Sequence, residues 1–374
     1  MKIPLCIPDI GTEELDAITE TISSGWLCHG EKNSEFEEAF KNLLGVDHAI
    51  SMNSCTSALQ LAIECADIRG EIIVPSFTWV ASANAIINAK ATPIFADINE
   101  TSFTLNPKSI ESLITPSTEA IMPVHYAGQM ADMTEIKKIA EKNSLYIVED
   151  SAETIGGEHC GKQAGSFGTG CFSFFPTKNI TVGEGGMLTT NDSEIANRVK
   201  CVMAHGINKT APEQQSKNKP WRRIASDIGY NFRLTNFQAA MGVVQMDKLE
   251  SMNSKRIKNA ELYNGLLSEK DNIITPVVVP GNKHVYQMYT IRLKNPELRD
   301  SLVLHLKSIG IEASVHFDPP LHQMEPYRNG EYIRADLSVT DNVCESIVTL
   351  PMYPQLGQQE IEFICEAILD YLHS

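Results

Sequence analysis

The sequence predicts an α/β protein: a large domain on a mostly parallel, mixed sheet with helices on both faces, followed by a smaller α+β domain. Three observations lead there. Apolar, strand-like runs alternate with helical patterns through the first half of the chain. Beyond a long helical stretch that opens at Leu234 the alternation gives way to another order of elements. The length of 374 residues with 43% hydrophobic content is ample for a buried core and suggests more than one domain. The division is expected at 1–245 and 246–374.

Residues 47–51 read as a strand, and 54–66 as a helix that Ser54 can cap through its hydroxyl. A strand at 71–75, a helix at 78–89 and a strand at 92–96 follow. The rhythm repeats with a helix at 108–114, a strand at 120–124, a helix at 133–142 and a strand at 144–148. In such sheets ligands bind beyond the carboxyl ends of the strands. That draws attention to 53–56, 76–79 and 149–153. Short strand-like runs at 171–175 and 186–190 flank Lys178, and 195–203 is helical. Residues 206–226 are polar, contain Pro212 and Pro220, and read as a long loop. A helix at 234–249 continues, with a shift of phase, into 254–267. The remainder gives a strand at 284–293, a helix at 296–309, a strand at 311–315 and a closing helix at 358–372.

Composition excludes several classes. The nine cysteines stand singly, with no C-x-x-C pair, so reduced thiols are expected and neither a disulfide framework nor a zinc site. A formal net charge of −16 disfavours nucleic acid and anionic membranes as partners. No apolar run reaches membrane-spanning length, and residues 1–5 do not begin a signal peptide, so a cytoplasmic protein is expected.

Lys178 carries the chemistry. It lies between the run Phe172-Ser173-Phe174-Phe175 and the turn Gly183-Glu184-Gly185-Gly186. An amine in an apolar pocket can stand unprotonated and attack an aldehyde. Upstream, Glu149-Asp150 closes another apolar run, and a carboxylate there can hold a pyridinium proton. These are the two groups that pyridoxal phosphate chemistry most needs. Ser54-Cys55-Thr56 open a helix whose N–H groups suit a phosphate, although a plain cap fits that segment equally well. The glycine turn lacks the G-K-[ST] ending of a nucleotide phosphate loop, and no G-x-G-x-x-G opens a helix after the first strands.

Further motifs stand in order along the chain. They are Ser24-Gly25-Trp26-Leu27 with Gly30, the segment 53–62, Pro75-Ser76-Phe77-Thr78-Trp79-Val80-Ala81, Val124-His125-Tyr126-Ala127-Gly128-Gln129, the Asp150 and Lys178 segments, and Gly229-Tyr230-Asn231-Phe232-Arg233-Leu234. With them the chain resembles, almost end to end, the DegT/DnrJ/EryC1/StrS family of pyridoxal phosphate-dependent sugar aminotransferases. The resemblance implies the fold type I architecture of aspartate aminotransferase-like enzymes. It implies that Lys178 holds the cofactor covalently and then moves the substrate proton, and that Asp150 pairs with the ring nitrogen. Ser54, Cys55 and Ser173 would hold the phosphate, and Trp79 would stack on the ring. Asn231 would come from the neighbouring subunit, making the active form a homodimer. Glu153 stands where the family usually has Gln or His beside the ring oxygen. A carboxylate there requires a shared proton or an orientation toward substrate. It points to amination at C4 of a sugar, as in perosamine synthase-like members.

The implied donor is L-glutamate and the implied acceptor a nucleotide-linked keto-deoxysugar, in a ping-pong reaction. The basic residues Lys209, Lys217, Lys219, Arg222 and Arg223 suit a diphosphate, or a solvated loop. The segment 315–322 resembles a family stretch near the substrate and makes His322 a candidate contact. The spacing of His316 and His322 is not that of a metal pair. Amination at C3, or a cyclitol or aminoshikimate-type acceptor, fits the same cofactor residues. Lys178 argues against the dehydratase branch, where histidine replaces it. A non-catalytic regulator would have no use for the Lys178 and Asp150 pair.

Overall fold

The structure, a computed structural model, describes residues 2–207, 221, 223–268 and 270–373. Helices α1 (Thr12–Ser23) and α2 (Glu31–Leu44) come first. Each starts at a glycine whose N–H is taken by a side chain one turn on: Glu14 for Gly11 and Asn33 for Gly30. Then follow β1 (His48–Met52), α3 (Cys55–Cys65), β2 (Glu71–Pro75), α4 (Val80–Asn88), β3 (Thr92–Ala96), α5 (Pro107–Leu113), β4 (Thr118–Ile121), α6 (Met133–Asn143) and β5 (Tyr146–Asp150). A small hairpin, β6 (Glu158–His159) and β7 (Lys162–Gln163), precedes β8 (Thr169–Ser173), β9 (Gly186–Thr190) and α7 (Ser193–Val202). The caps follow their chemistry: Ser54, Asp132 and Asp192 each accept a backbone N–H at the start of α3, α6 and α7.

The main sheet has seven strands in the order β1-β9-β8-β5-β4-β2-β3. Pairs β2/β3, β2/β4, β4/β5 and β5/β8 are parallel, and β9 runs antiparallel between β8 and β1. The expected mostly parallel, mixed sheet is therefore present. Because β1, β2, β4, β5 and β8 share a direction, the segments that leave them meet at one end of the sheet.

The 32-residue helix α8 (Asn236–Leu267) joins two cores. Leu249 and Met252 pack in the core beneath the main sheet, with Phe36, Phe40 and Phe174. Farther on, Ile257, Ala260 and Tyr263 pack in a second core. The shift of phase in the sequence is the change of core along one unbroken helix. The second core also holds β10 (Ile273–Ile274), β12 (Tyr289–Leu293), α9 (Arg299–Ser308), β13 (Ile347–Leu350) and α11 (Gln358–His373). Strands β10, β12 and β13 form its antiparallel sheet. Between them, β11 (Asn282–Lys283) pairs with β6, and α10 (Ser338–Ser346) starts under the Asp97 carboxylate. Ile3, from the other end of the chain, also packs in this second core and pairs with Ile311.

Two expected strands differ. Residues 284–288 leave the strand conformation: Val285 donates to the Gly128 carbonyl, and Tyr286 takes φ 43°. Gly128 has no side chain there because a Cβ would fall 2.6 Å from the Tyr286 nitrogen. Residues 311–315 make isolated pairings, Ile311 with Ile3 and Ser314 with Thr349, instead of a strand. Among the described residues, no helix is long and apolar enough to cross a membrane.

Gly186 begins β9 directly beneath the start of α3. A Cβ on it would lie 2.4 Å from the Ser54 carbonyl carbon and 2.5 Å from the Cys55 nitrogen, backbone atoms that cannot swing aside. Gly186→Ala is expected to destabilise the protein by about 1–3 kcal/mol, measured by chemical denaturation. An unchanged midpoint would show that the helix start is free to shift.

Candidate active site

A cavity of about 450 Å³ opens at the carboxyl end of the main sheet. Ser54 and Cys55 reach it from the exit of β1, Trp79 from β2, Asp150 and Glu153 from β5, and Ser173 and Lys178 from β8. Seven of the residues singled out in the sequence thus share one cavity. Gln287, His316 and Thr349, from segments whose neighbours pack in the second core, also line it.

The pair Glu149-Asp150 divides its work. Successive side chains of a strand point to opposite faces. Glu149 turns away, fully buried, and accepts from His125 Nε2 at 3.1 Å and from the N–H groups of Gly165, Phe167 and Gly168 at 2.7–3.0 Å. It is a structural carboxylate. Asp150 faces the cavity. Its Oδ2 accepts from Ser82 Oγ at 2.7 Å and its Oδ1 from the Ala152 N–H at 3.2 Å. Burial pushes its carboxyl above the usual range, and the Ser82 and Ala152 donors oppose that.

Lys178 Nζ lies 3.1 Å from Glu153 Oε1. The other Glu153 oxygen accepts from the Ala127 N–H at 2.8 Å. Glu153 therefore turns toward the lysine and is not free to point at substrate in this state. The lysine loop is pinned from the far side: Gln287 Nε2 donates to the Thr177 carbonyl at 2.8 Å, and Asn179 Nδ2 to Asn253 Oδ1 at 2.6 Å.

At the head of α3, Ser54 Oγ accepts from the Ser57 N–H at 3.1 Å, and the Cys55 and Thr56 side chains line the cavity. Burial drives the Cys55 thiol well above its ordinary pKa, so it is a neutral group at the helix head. Trp79 caps the mouth, 60% exposed and 6.1 Å from the Phe317 ring. The donor set suits pyridoxal phosphate: an amine for its aldehyde, a buried carboxylate for its ring nitrogen, and a helix head with serines for its phosphate.

Other expected residues lie elsewhere. His322 is outside the cavity; its Nδ1 is 2.7 Å from Ser76 Oγ and its Nε2 3.1 Å from Asp341 Oδ1, so it ties its loop to the end of β2. The histidine of that segment that does line the cavity is His316, whose Nδ1 is 3.0 Å from Thr349 Oγ1. Burial pushes the His316 pKa down, with Glu153 opposing. Asn231 is exposed and accepts from Arg233 Nε at 3.0 Å, away from the chain's own cavity. Arg223 is exposed outside the cavity, and Arg222 lies outside the described residues, as do Lys209, Lys217 and Lys219. Gln287 and His316 were not separable from core or loop residues by spacing, because each reaches the cavity through a fold contact distant in sequence.

The raised Asp150 pKa has a stability consequence. A carboxyl whose folded pKa exceeds its unfolded value favours the folded state below the unfolded pKa and loses that contribution as pH rises through the folded value. In the cofactor-free protein, Asp150→Asn should therefore melt higher than wild type at neutral pH, and the gap should close on acidification toward pH about 4. A gap independent of pH would mean that Asp150 is not held against its charge.

Comparison with known proteins follows the same lines. The model of the DegT/DnrJ/EryC1/StrS aminotransferase family matches residues 8–369. The chain is 35% identical over 377 residues to the spore coat polysaccharide biosynthesis protein SpsC of Bacillus subtilis, covering 98% of this chain and 96% of that protein. It is 35% identical over 374 residues to GDP-perosamine synthase of Caulobacter vibrioides, covering 98% and 97%. The solved structure of a putative sugar aminotransferase from Streptococcus pneumoniae, in its PLP form, superposes with a TM-score of 0.91 at 25% identity, covering 99% of this chain and 98% of that one. The chain belongs to the DegT/DnrJ/EryC1/StrS aminotransferase family and is an aminotransferase.

Proposed function

We propose that the protein uses pyridoxal phosphate to move an amino group from L-glutamate to the keto carbon, at C4, of a nucleotide-linked keto-deoxysugar. The observation that carries this reading is the meeting of Lys178, Glu153 and Asp150 in one cavity at the strand ends. When bound, the cofactor supplies a reactive aldehyde and an electron-accepting ring. The chain supplies the rest. Lys178 Nζ would hold the cofactor and could carry a proton to and from the substrate carbon. Glu153 Oε1 lies 3.1 Å from that amine and accepts its hydrogen bond, which holds the amine in place. Asp150 would accept a hydrogen bond from the ring nitrogen and favour its cationic form. The head of α3, with Ser54 and Ser173, would hold the phosphate. Trp79 would cover the ring and exclude water.

The same proposal includes a homodimer in which Asn231 of each chain enters its partner's cavity; its exposure and its place outside the lining of its own cavity support that. It includes a division into two domains along α8, supported by the change of core between Met252 and Ile257. The C4 preference rests on Glu153 and on the similarity to a perosamine synthase.

Titration with pyridoxal phosphate should give a visible absorbance band that Lys178→Ala lacks, together with loss of turnover. A band of equal strength in the variant would remove Lys178 from its role. Incubating the loaded protein with glutamate and a panel of nucleotide keto-sugars and free cyclitols, read by mass spectrometry, should give an aminated nucleotide sugar. Amination of free cyclitols alone would replace the proposed acceptor. Mixing Lys178→Ala with Asn231→Ala subunits should recover activity that neither has alone, and no recovery would argue against a shared site.

A further inference from the structure

Thr78 and Trp79 lead into helix α4 beside the cavity, and Ser82 lies in its first turn. Thr78 and Ser82 are buried, at 2% and 0% exposure. Thr78 Oγ1 lies 2.9 Å from Ser82 Oγ, and Ser82 Oγ donates to Asp150 Oδ2 at 2.7 Å. Two hydroxyls thus lead from the cavity wall, which Thr78 lines, to the buried carboxylate. We propose that Ser82, with Thr78 behind it, is the positioning residue that aims Asp150 at the cofactor ring and keeps it an acceptor. The proposal rests on the pyridoxal phosphate reading only for what Asp150 faces.

The hydroxyl count fixes the direction of the chain. Each hydroxyl has one proton to give. With Asp150 ionised, Ser82 gives its proton to Asp150, and Thr78 gives its own to Ser82. If Asp150 carried a proton and donated it to Ser82, the Ser82–Asp150 bond would reverse and the Ser82 proton would have to turn away from Asp150. Hydrogen bonds to an ionised acceptor are roughly twice as strong as neutral ones, so the inward arrangement favours the carboxylate. Each Asp150 oxygen then has one protein donor, Ser82 on one and the Ala152 N–H on the other. A carboxylate oxygen takes two, so each keeps a lone pair for the ring nitrogen. Ser82 sits among Ala83, Ala85 and Ile86 on a helix that is otherwise apolar where it is buried. These apolar neighbours make no use of the hydroxyl, which is taken up by Thr78 and Asp150. Because Trp79 and Ser82 lie on one turn, the ring that would cover the cofactor and the group that aims Asp150 are carried by one rigid element.

The experiment compares wild type with Ser82→Ala, Ser82→Thr and Thr78→Val. In cofactor-free protein, isotope-edited infrared spectroscopy follows the Asp150 carboxyl, with Asp150→Asn identifying its band. The titration midpoint should move up in Ser82→Ala, move up less in Thr78→Val, and stay near wild type in Ser82→Thr. In protein loaded with pyridoxal phosphate, Ser82→Ala should keep the visible band, lose about tenfold in kcat, and keep KM for the nucleotide sugar within about twofold. An Asp150 midpoint unmoved by Ser82→Ala overturns the proposal, as does a Ser82→Thr protein as impaired as Ser82→Ala. Should Ser82→Ala fail to fold, Thr78→Val decides by the same midpoint. If wild type takes up no pyridoxal phosphate while the midpoint still moves, the cofactor reading fails and the hydroxyl chain stands.

Discussion

A carboxylate buried at the end of a parallel strand constrains everything around it. Among the described residues, no arginine or lysine bonds to Asp150; it has one hydroxyl and one N–H. Burial without a bonded cation leaves it poised against its own charge. A cationic ring nitrogen bound against it would relieve that cost. Its neighbour Glu149 shows the contrast. Four donors satisfy Glu149, and nothing is left over for a ligand. Two adjacent acids in sequence become one fully paired group and one that faces the cavity because strand geometry sends them to opposite faces.

The lysine loop is held in the same spirit. Thr177, Asn179 and Thr181 are fastened to Gln287, Asn253 and Gln245, and two of those three partners sit on α8. Gln245 also reaches the Asp9 carbonyl and Glu14, so the helix that joins the two cores indexes the loop against the start of the chain. A lysine on a free loop would sample many positions. Here its amine is fixed within 3.1 Å of Glu153, and Glu153 is fixed in turn by the Ala127 N–H. Pre-organisation of this kind is what proton transfer by a positioned side chain requires.

Much of this was legible in the sequence, and the parts that were not share a cause. The strands at 71–75, 92–96 and 186–190 fall where the apolar runs place them, since buried strands write their burial directly into composition. Lys178 and Asp150 were legible because their chemistry is rare beside apolar runs. Residues 284–288 look equally strand-like, yet their hydrogen bonds go to the Gly128 turn, a partner more than 150 residues away. The choice between His316 and His322 was likewise hidden. Both occupy one loop, and only the positions of Thr349, Ser76 and Asp341 decide which ring meets the cavity and which ties the loop down. The Ser82 hydroxyl was invisible for the same reason, being a small residue in an apolar helix.

The charge of the cavity carries one more step of reasoning. Among the described residues that line it, Lys178 is the one lysine and there is no arginine, while Asp150, Glu153 and Glu184 are all acids. The chain as a whole carries −16. An anionic ligand is therefore not drawn in by a field of cations contributed by this wall. A phosphate bound here would be held at short range by dipoles, the helix head at Ser54 to Thr56 and the serine hydroxyls, whose strength depends on contact and not on long-range attraction. Short-range holding tolerates no slack in the backbone. The backbone there is close-set: β9 comes so near α3 that Gly186 has no room for a side chain, and the cap at Ser54 is tied to Ser57, itself bonded to Asn53. Where a basic pocket could use charge to forgive a misplaced atom, this one would rely on backbone geometry.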